Sequence, residues 1–107
     1  MCNRANKERS FLELLQHAEN TQKKALLKTA SDEQVRILSE IVYNILGGVI
    51  EISAKSKQDL LPHKNKLRKL GDKTQTYCAL KRMWNKFPLE ILKTIIKAGV
   101  IYLDRAL

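Results

Sequence analysis

The sequence has little of the cross-linking and chain-breaking residues that shape many small proteins. Its 107 residues include two cysteines, two prolines and four glycines, and aromatic residues make up 6%. Cys2 and Cys78 are too few for a disulfide framework or a cysteine-based zinc site. The longest uninterrupted apolar run, 98–103, is far shorter than the ~18 residues that span a bilayer. Residues 1–4 lead into charged residues rather than into an apolar signal segment, so we expect an intracellular chain that is not secreted and not in a membrane.

The residue groupings of common catalytic and metal sites are also missing from the sequence. His17 and His63 are far apart, and neither has a cysteine close by. There is no glycine-rich phosphate loop and no glycine-flanked serine nucleophile. Asp32 and Glu33 are explained by the start of a helix, so no pair of carboxylates indicates acid–base chemistry. We therefore expect no enzyme, no metal and no cofactor.

What the chain does have is positive charge, concentrated in one region. The formal net charge is +9, from 20 lysines and arginines against 11 acidic residues. Half of the basic residues, but only two acidic ones, lie within 55–86. The ten basic residues of this region are Lys55, Lys57, Lys64, Lys66, Arg68, Lys69, Lys73, Lys81, Arg82 and Lys86. Such an excess favours contact with the phosphates of a nucleic acid, although a solvated face or a nuclear import signal would have the same composition.

The apolar residues recur at intervals of three and four, which is the period of a helix. We predict an all-α fold, a compact bundle of about five to six short helices. It forms a single domain over 1–107 with a frayed N-terminus at 1–6. Start and stop residues place helical segments near 7–19, 22–30, 32–46, 53–61, 62–70, 73–86 and 88–107.

Individual caps support several of these boundaries. Thr21 is expected to cap the second helix, whose Ala25, Leu26 and Leu27 should face inward while Lys23, Lys24 and Lys28 stay in solvent. Ser31 with Gln34 forms a capping box for the third helix, which Gly47-Gly48 ends. Residues 49–52 alternate like a strand but have no second strand to pair with, so an extended linker is expected there.

Two later features of the sequence leave alternatives open. Pro62 implies either a kink or a break between two helices, and we favour a break at Leu61. Asp72 is expected to start the helix near 73–86. Tyr77 and Trp84 within that helix fit either base stacking or the core, and their spacing favours the core.

The segment 88–107 is too apolar for a helix that exposes one whole side to solvent. It is either the central helix of the fold, a face for a homodimer or protein partner, or a membrane-surface element. For a partner interface the expected residues are Ile91, Ile95 and Tyr102.

Short strings within 9–73 resemble small basic core-like proteins of the adenovirus-like Polinton or Maverick transposons and of the related adintoviruses. The strings are FLELL at 11–15, KALL at 24–27, LSEI at 38–41, NILG at 44–47, and HK and LRKL within 63–70. The resemblance implies a virion core or DNA-condensing component. Residues 77–84 and 88–92 depart from the denser Lys/Arg run and Gly-Gly-Phe tail of that family, which weakens the implication for the C-terminal part.

The charge and the resemblance together predict a non-enzymatic protein that binds nucleic acid with low sequence specificity. It would act as a DNA-binding or packaging component of a virus-like element, in the host nucleus or the virion. The alternative is a helical protein–protein interaction module that uses the apolar C-terminal helix. The arrangement of the basic groups distinguishes the two hypotheses. A single basic patch would favour nucleic-acid binding, and basic groups scattered around the surface would favour the interaction module.

Overall fold

The computed structural model describes the backbone of residues 9–106 and the side chains of residues 9–104. The predicted fraying at 1–6 lies outside these residues. The described chain forms seven α-helices and one 3-10 turn, and contains no strand. The helices are α1 (Arg9–His17), α2 (Asn20–Lys28), α3 (Asp32–Leu46), α4 (Ala54–Leu60), α5 (Lys64–Leu70), α6 (Tyr77–Lys86) and α7 (Leu89–Ala106), with the 3-10 turn (Leu61–His63) between α4 and α5. The predicted all-α bundle is confirmed.

Helix α3 lies at the centre of the bundle and begins as its sequence predicts. The Gln34 backbone N–H donates to the Ser31 hydroxyl at 3.2 Å, and the Ser31 N–H donates to Gln34 Oε1 at 3.0 Å. Gly48, with a φ of +79°, adopts the left-handed conformation that ends the helix. The apolar face of α3 packs against α5, α6 and α7.

Helix α7 is the second core element. Leu92, Ile95 and Ile96 are fully buried, and the helix packs on α1, α3 and α4. A Cβ atom at Gly99 would lie only 2.5 Å from Cδ1 of Ile41, so this glycine allows α7 and α3 to approach closely. The structure therefore makes α7 an internal helix. The expectation of an interface at Ile95 is wrong, because that side chain has no exposed surface in the folded chain.

Two helix starts differ from those predicted because the capping residues are different. Helix α2 begins at Asn20 and not after Thr21, since the Glu19 backbone N–H donates to Gln22 Oε1 at 3.0 Å and forms the cap two residues earlier. Helix α6 begins at Tyr77, capped by the Thr76 hydroxyl. Asp72 instead accepts hydrogen bonds from the Thr74 backbone N–H and hydroxyl. A short polar turn therefore occupies 71–76, and the helix predicted from about 73 begins only at 77.

Pro62 changes the type of helix without ending the helical path. Helix α4 starts after the cap Ser53 and stops at Leu60, close to the predicted break. Leu61 nevertheless keeps helical angles, with φ −56° and ψ −43°, and the chain makes one 3-10 turn before α5 begins. The predicted break thus takes the form of a tighter turn. The linker after α3 buries Ile50 and exposes Val49.

Candidate nucleic-acid interface

The basic segment contains two antiparallel helices that lie side by side on α3. The turn 71–76 joins the end of α5 to the start of α6, and at the opposite end the rings of His63 and Phe87 are 5.9 Å apart. Both helices contact α3 as well as each other. The sides of α5 and α6 that point away from α3 are therefore presented to solvent together.

On α5 the outward side is basic. Leu67 and Leu70 are buried against the core, and at 100° per residue Arg68 and Lys69 project from the opposite side. Lys66 lies one turn before the buried Leu70, at the boundary between the core side and the outward side, and all three cations are exposed.

The outward side of α6 is also basic. Leu80 and Trp84 are buried, while Arg82 and Lys86, one turn apart, lie on the opposite side and are exposed. Five cations of the two helices therefore point to solvent on neighbouring elements. We call these five the outer basic face: Lys66, Arg68, Lys69, Arg82 and Lys86.

The other five predicted cations lie in different surroundings. Lys73 lies over the Tyr43 ring, with its Nζ 4.2 Å from the ring centroid. Lys81 is half-buried and lies 5.5 Å from the Tyr77 ring centroid, on the side of α6 that contacts α2. Lys57 and Lys64 line an apolar groove beside α4 and α5.

Lys55 is exposed at the start of α4. The ten cations therefore do not share one surface. Half of them form the outer basic face, and the remaining ones are distributed around it.

The aromatic residues within the basic segment belong to the core, as their spacing favours. Trp84 is fully buried, and its Nε1–H donates to the Ser39 hydroxyl at 3.0 Å. The Tyr77 hydroxyl donates to the Ala30 carbonyl oxygen at 2.6 Å. Trp84 therefore has no ring face available for stacking on a base, and the half-buried Tyr77 ring packs against the core with Lys81 beside it.

An aromatic residue outside the basic segment is exposed instead. Tyr43 of α3 is 46% exposed, and Lys73 covers one face of its ring. The exposure of Tyr43 could be predicted from the sequence, because this residue lies off the apolar stripe of α3. Its contact with Lys73 could not, because only the packing of α5 and the following turn on α3 brings the two residues together.

Neither acidic group of the basic segment, Asp59 or Asp72, forms an ion pair among the residues that the structure describes. Hydrogen bonds from the Thr74 hydroxyl and backbone N–H lower the pKa of Asp72, which keeps this carboxylate ionised and engaged in its own turn. Ion pairs form on other helices: Arg36 with Asp32 at 2.7 Å in α3, and Arg9 with Glu13 at 3.1 Å in α1. Arg9 also pairs with Asp104 of α7.

Lys23 of α2 is the cation that the sequence reasoning misplaced. Its side chain was expected to lie in solvent, but only 3% of its surface is exposed. Burial, and to a smaller extent the nearby charge of Lys93, lowers its pKa below 10.5. The predicted inward position of Ala25 is also wrong, since that residue is exposed. Helix α2 is rotated so that Lys23 and Leu27, one turn apart, face the core.

Two kinds of site are not found among the residues that the structure describes. No group of three or more histidine, cysteine or acidic side chains is arranged to hold a metal ion. No helix is long and apolar enough to cross a membrane. Comparison with models of protein families, with curated proteins and with solved structures finds no match to this chain.

Proposed function

We propose that the protein is a non-enzymatic nucleic-acid-binding protein that contacts the phosphate backbone through the outer basic face. The observation that supports this is the pairing of α5 and α6, two neighbouring helices that together expose five cations to solvent. Several cations on neighbouring elements favour a polyanion over a single small anion, because counterion release adds with each phosphate neutralised.

The binding is expected to depend little on sequence. Three of the five cations are lysines, which recognise phosphate as point charges and carry no base information. Tyr77 and Trp84, the aromatic residues of the basic segment 55–86, pack with the core and donate hydrogen bonds within the fold. A protein of this type suits DNA packaging, and the resemblance of 9–73 to core-like proteins of virus-like elements leads us to propose that role, in the nucleus or virion.

The alternative hypothesis, a partner-binding C-terminal helix, receives less support. Of the three interface residues proposed for it, Ile95 is fully buried, and Ile91 and Tyr102 are half-buried. Ile101 is the more exposed apolar side chain of α7. Most of the apolar surface that suggested a partner is covered by α1, α3 and α4.

A salt titration tests the proposal. Binding of the protein to a random-sequence DNA duplex should weaken with salt with a log–log slope of about −4 to −5, since each of five phosphates contributes roughly 0.9. Duplexes of unrelated sequence should give the same affinity. Absence of binding at low salt, or a slope near zero, would contradict the proposal.

A matched pair of double variants locates the surface. Lys69→Glu with Arg82→Glu reverses two charges on the outer basic face, whereas Lys24→Glu with Lys97→Glu reverses two exposed charges on α2 and α7. The net charge changes equally, so a general loss of attraction affects both proteins alike. We expect the first variant to lose binding at salt concentrations where the second still binds. Equal losses would place the interface elsewhere.

A further inference from the structure

A groove of about 560 Å³ lies between the C-terminal end of α3, the linker 47–52 and the helical segment 54–70. Its volume falls in the range of ~300–1,000 Å³ that is typical of small-molecule sites. Apolar side chains from every one of these elements line it, and α7 adds Ile95. Ile50, Leu67 and Ile95 of this lining are themselves buried. The interior of the groove is therefore suited to a hydrocarbon group.

The mouth of this groove exposes large apolar side chains to water. Leu61 is 65% exposed and Leu46 is 46% exposed, although both line the groove. Leaving such side chains exposed loses the stabilisation of ~25 cal/mol per Å² that their burial would give. A ligand that occupies the groove would cover them.

The same mouth carries positive charge. Lys57 of α4 and Lys64 of α5 line the groove and are exposed, and Glu51 is the acidic residue that lines it with them. The Pro62 turn contributes to this arrangement, because at its end the Lys64 backbone N–H donates to the Leu61 carbonyl oxygen, and both of these residues line the groove. Apolar surface and an ammonium group are thus presented together.

We propose that the groove binds one straight-chain fatty-acid carboxylate, with the chain along the apolar lining and the carboxylate at Lys57 and Lys64. An inorganic phosphate would leave the apolar lining unused, and a cationic amphiphile would meet two lysines. Long lysine side chains are suited to such a mouth, since their methylene groups extend along the ligand while the ammonium stays in water. This site is separate from the proposed nucleic-acid contact, whose outer basic face includes neither lysine.

Three amphiphiles built on a twelve-carbon chain test the proposal, each used below its micelle concentration: dodecanoate, dodecyl maltoside and dodecyltrimethylammonium. Isothermal titration calorimetry should show one dodecanoate per chain. The neutral probe should bind about tenfold more weakly or worse, and the cationic probe should bind least, because only the carboxylate gains a charge-assisted contact. Equal binding of all three probes, or no binding of dodecanoate, overturns the proposal.

Matched variants locate the ligand. Lys64→Glu should weaken dodecanoate binding about tenfold or more, whereas Lys69→Glu, an exposed reversal on the same helix that does not line the groove, should leave it unchanged. Leu61→Glu should abolish binding, and Leu14→Glu, at a residue 55% exposed on α1, should not. The four substitutions are at exposed residues, so thermal melts should show folded proteins. Loss of binding in both members of a pair places the ligand elsewhere and overturns the assignment.

Sedimentation of the unliganded protein distinguishes the other occupants of the groove. The parent is expected to sediment as a single chain. A dimer that Leu61→Glu dissociates would show that a second copy covers the groove, and binding of vesicles but not of monomeric dodecanoate would show a membrane surface. Either result overturns the proposal. Retained DNA binding by Leu61→Glu would show that the two proposals are independent.

Discussion

Helices α3 and α5 touch each other but serve different purposes in this small protein. Helix α3 has 15 residues, seven of them buried, and closes its first turn with a reciprocal capping box. Helix α5 has seven residues, two of them buried, and has no side-chain cap. Isolated helices shorter than ~12 residues are marginal in water, so α5 depends on tertiary contacts for its existence. Because only two of its side chains face the core, the rest of its surface is available for charge.

The difference indicates that stability and binding reside on separate parts of the molecule. Helices α3 and α7 hold most of the fully buried side chains, while α4, α5 and α6 carry nine of the ten basic residues of the segment 55–86. Substitutions in the first region should therefore change stability, and substitutions on the exposed side of the second should change binding alone.

The largest effect is expected at Ile41, where α3 meets α7. The side chain is fully buried and touches the position of Gly99, so Ile41→Ala should leave a cavity and lower the free energy of unfolding by ~2–5 kcal/mol. Ile45, one turn later, is only half-buried, and Ile45→Ala should cost clearly less. Urea unfolding of both variants measures the difference. Equal losses would mean that α3 is rotated from the orientation described.

Cap removal compares the two regions directly. Ser31→Ala should lower the free energy of unfolding by about 1 kcal/mol, because it removes half of the capping box of α3. Ser53 caps the seven-residue α4 through the Ser56 N–H at 3.2 Å. Since α4 contributes only Leu60 to the core, Ser53→Ala should cost less, about 0.5 kcal/mol. A larger loss at Ser53 would show that α4 contributes more to stability than its burial indicates.

Sequence patterns predicted those helices for which the capping residue, the apolar stripe and the stop residue all indicate the same bounds. For α3, the cap at Ser31, the apolar stripe and the stop at Gly48 all indicate one helix over 32–46, and the structure has this helix. Where two residues could each cap the same helix, the contacts and hydrogen bonds of the folded chain determine the start of the helix. Asp72 and Thr76 are both capping residues. Gly71 packs on the α3 backbone near Tyr43, the Asp72 carboxylate accepts from Thr74 within the turn, and it is the Thr76 hydroxyl that accepts from the Ala79 N–H and starts α6.

The candidate site was less accessible to sequence reasoning than the fold. The concentration of charge in 55–86 is visible from composition, and so is the basic outer side of α5. The separation of Lys57 and Lys64 from the outer basic face is not, because it depends on the linker 47–52 folding back beside α4 and α5 to form a groove. Lys23 was misplaced for the same reason, since nothing in a window of α2 shows that α2 turns this residue inward.

Charge reversal on the outer basic face should leave the fold almost unchanged. Lys69→Glu and Arg82→Glu are substitutions of exposed residues on the sides of α5 and α6 opposite their buried leucines. Surface changes of this kind usually alter the free energy of unfolding by less than about 0.5 kcal/mol. Thermal melts at the salt concentration of the DNA titration check this. A strongly destabilised variant would mean that these cations have a structural role, and that loss of DNA binding would not identify an interface.

The smallest effect is expected at Lys23, and it depends on pH. Because its pKa is lowered in the folded state, the unfolded chain binds more protons between that pKa and 10.5, so this group makes stability rise with pH in that window. Below the folded-state pKa the cost of burying the charge is constant and at its largest. Lys23→Met removes that cost while keeping an unbranched side chain, so the variant should be more stable than the parent near neutral pH. Its free energy of unfolding should also lack the increase with pH that Lys23 gives the parent.

Lys24→Met is the matched control, since Lys24 is the exposed neighbour of Lys23 on α2. Urea unfolding at intervals from pH 7 towards 10 compares the three proteins, and the titration of other lysines and tyrosines affects all of them alike. If the free energies of unfolding of Lys23→Met and Lys24→Met depend on pH in the same way over this range, the Lys23 ammonium group reaches water even though its side chain is covered. The lysine then belongs with the solvated cations, and burial on α2 has no electrostatic cost.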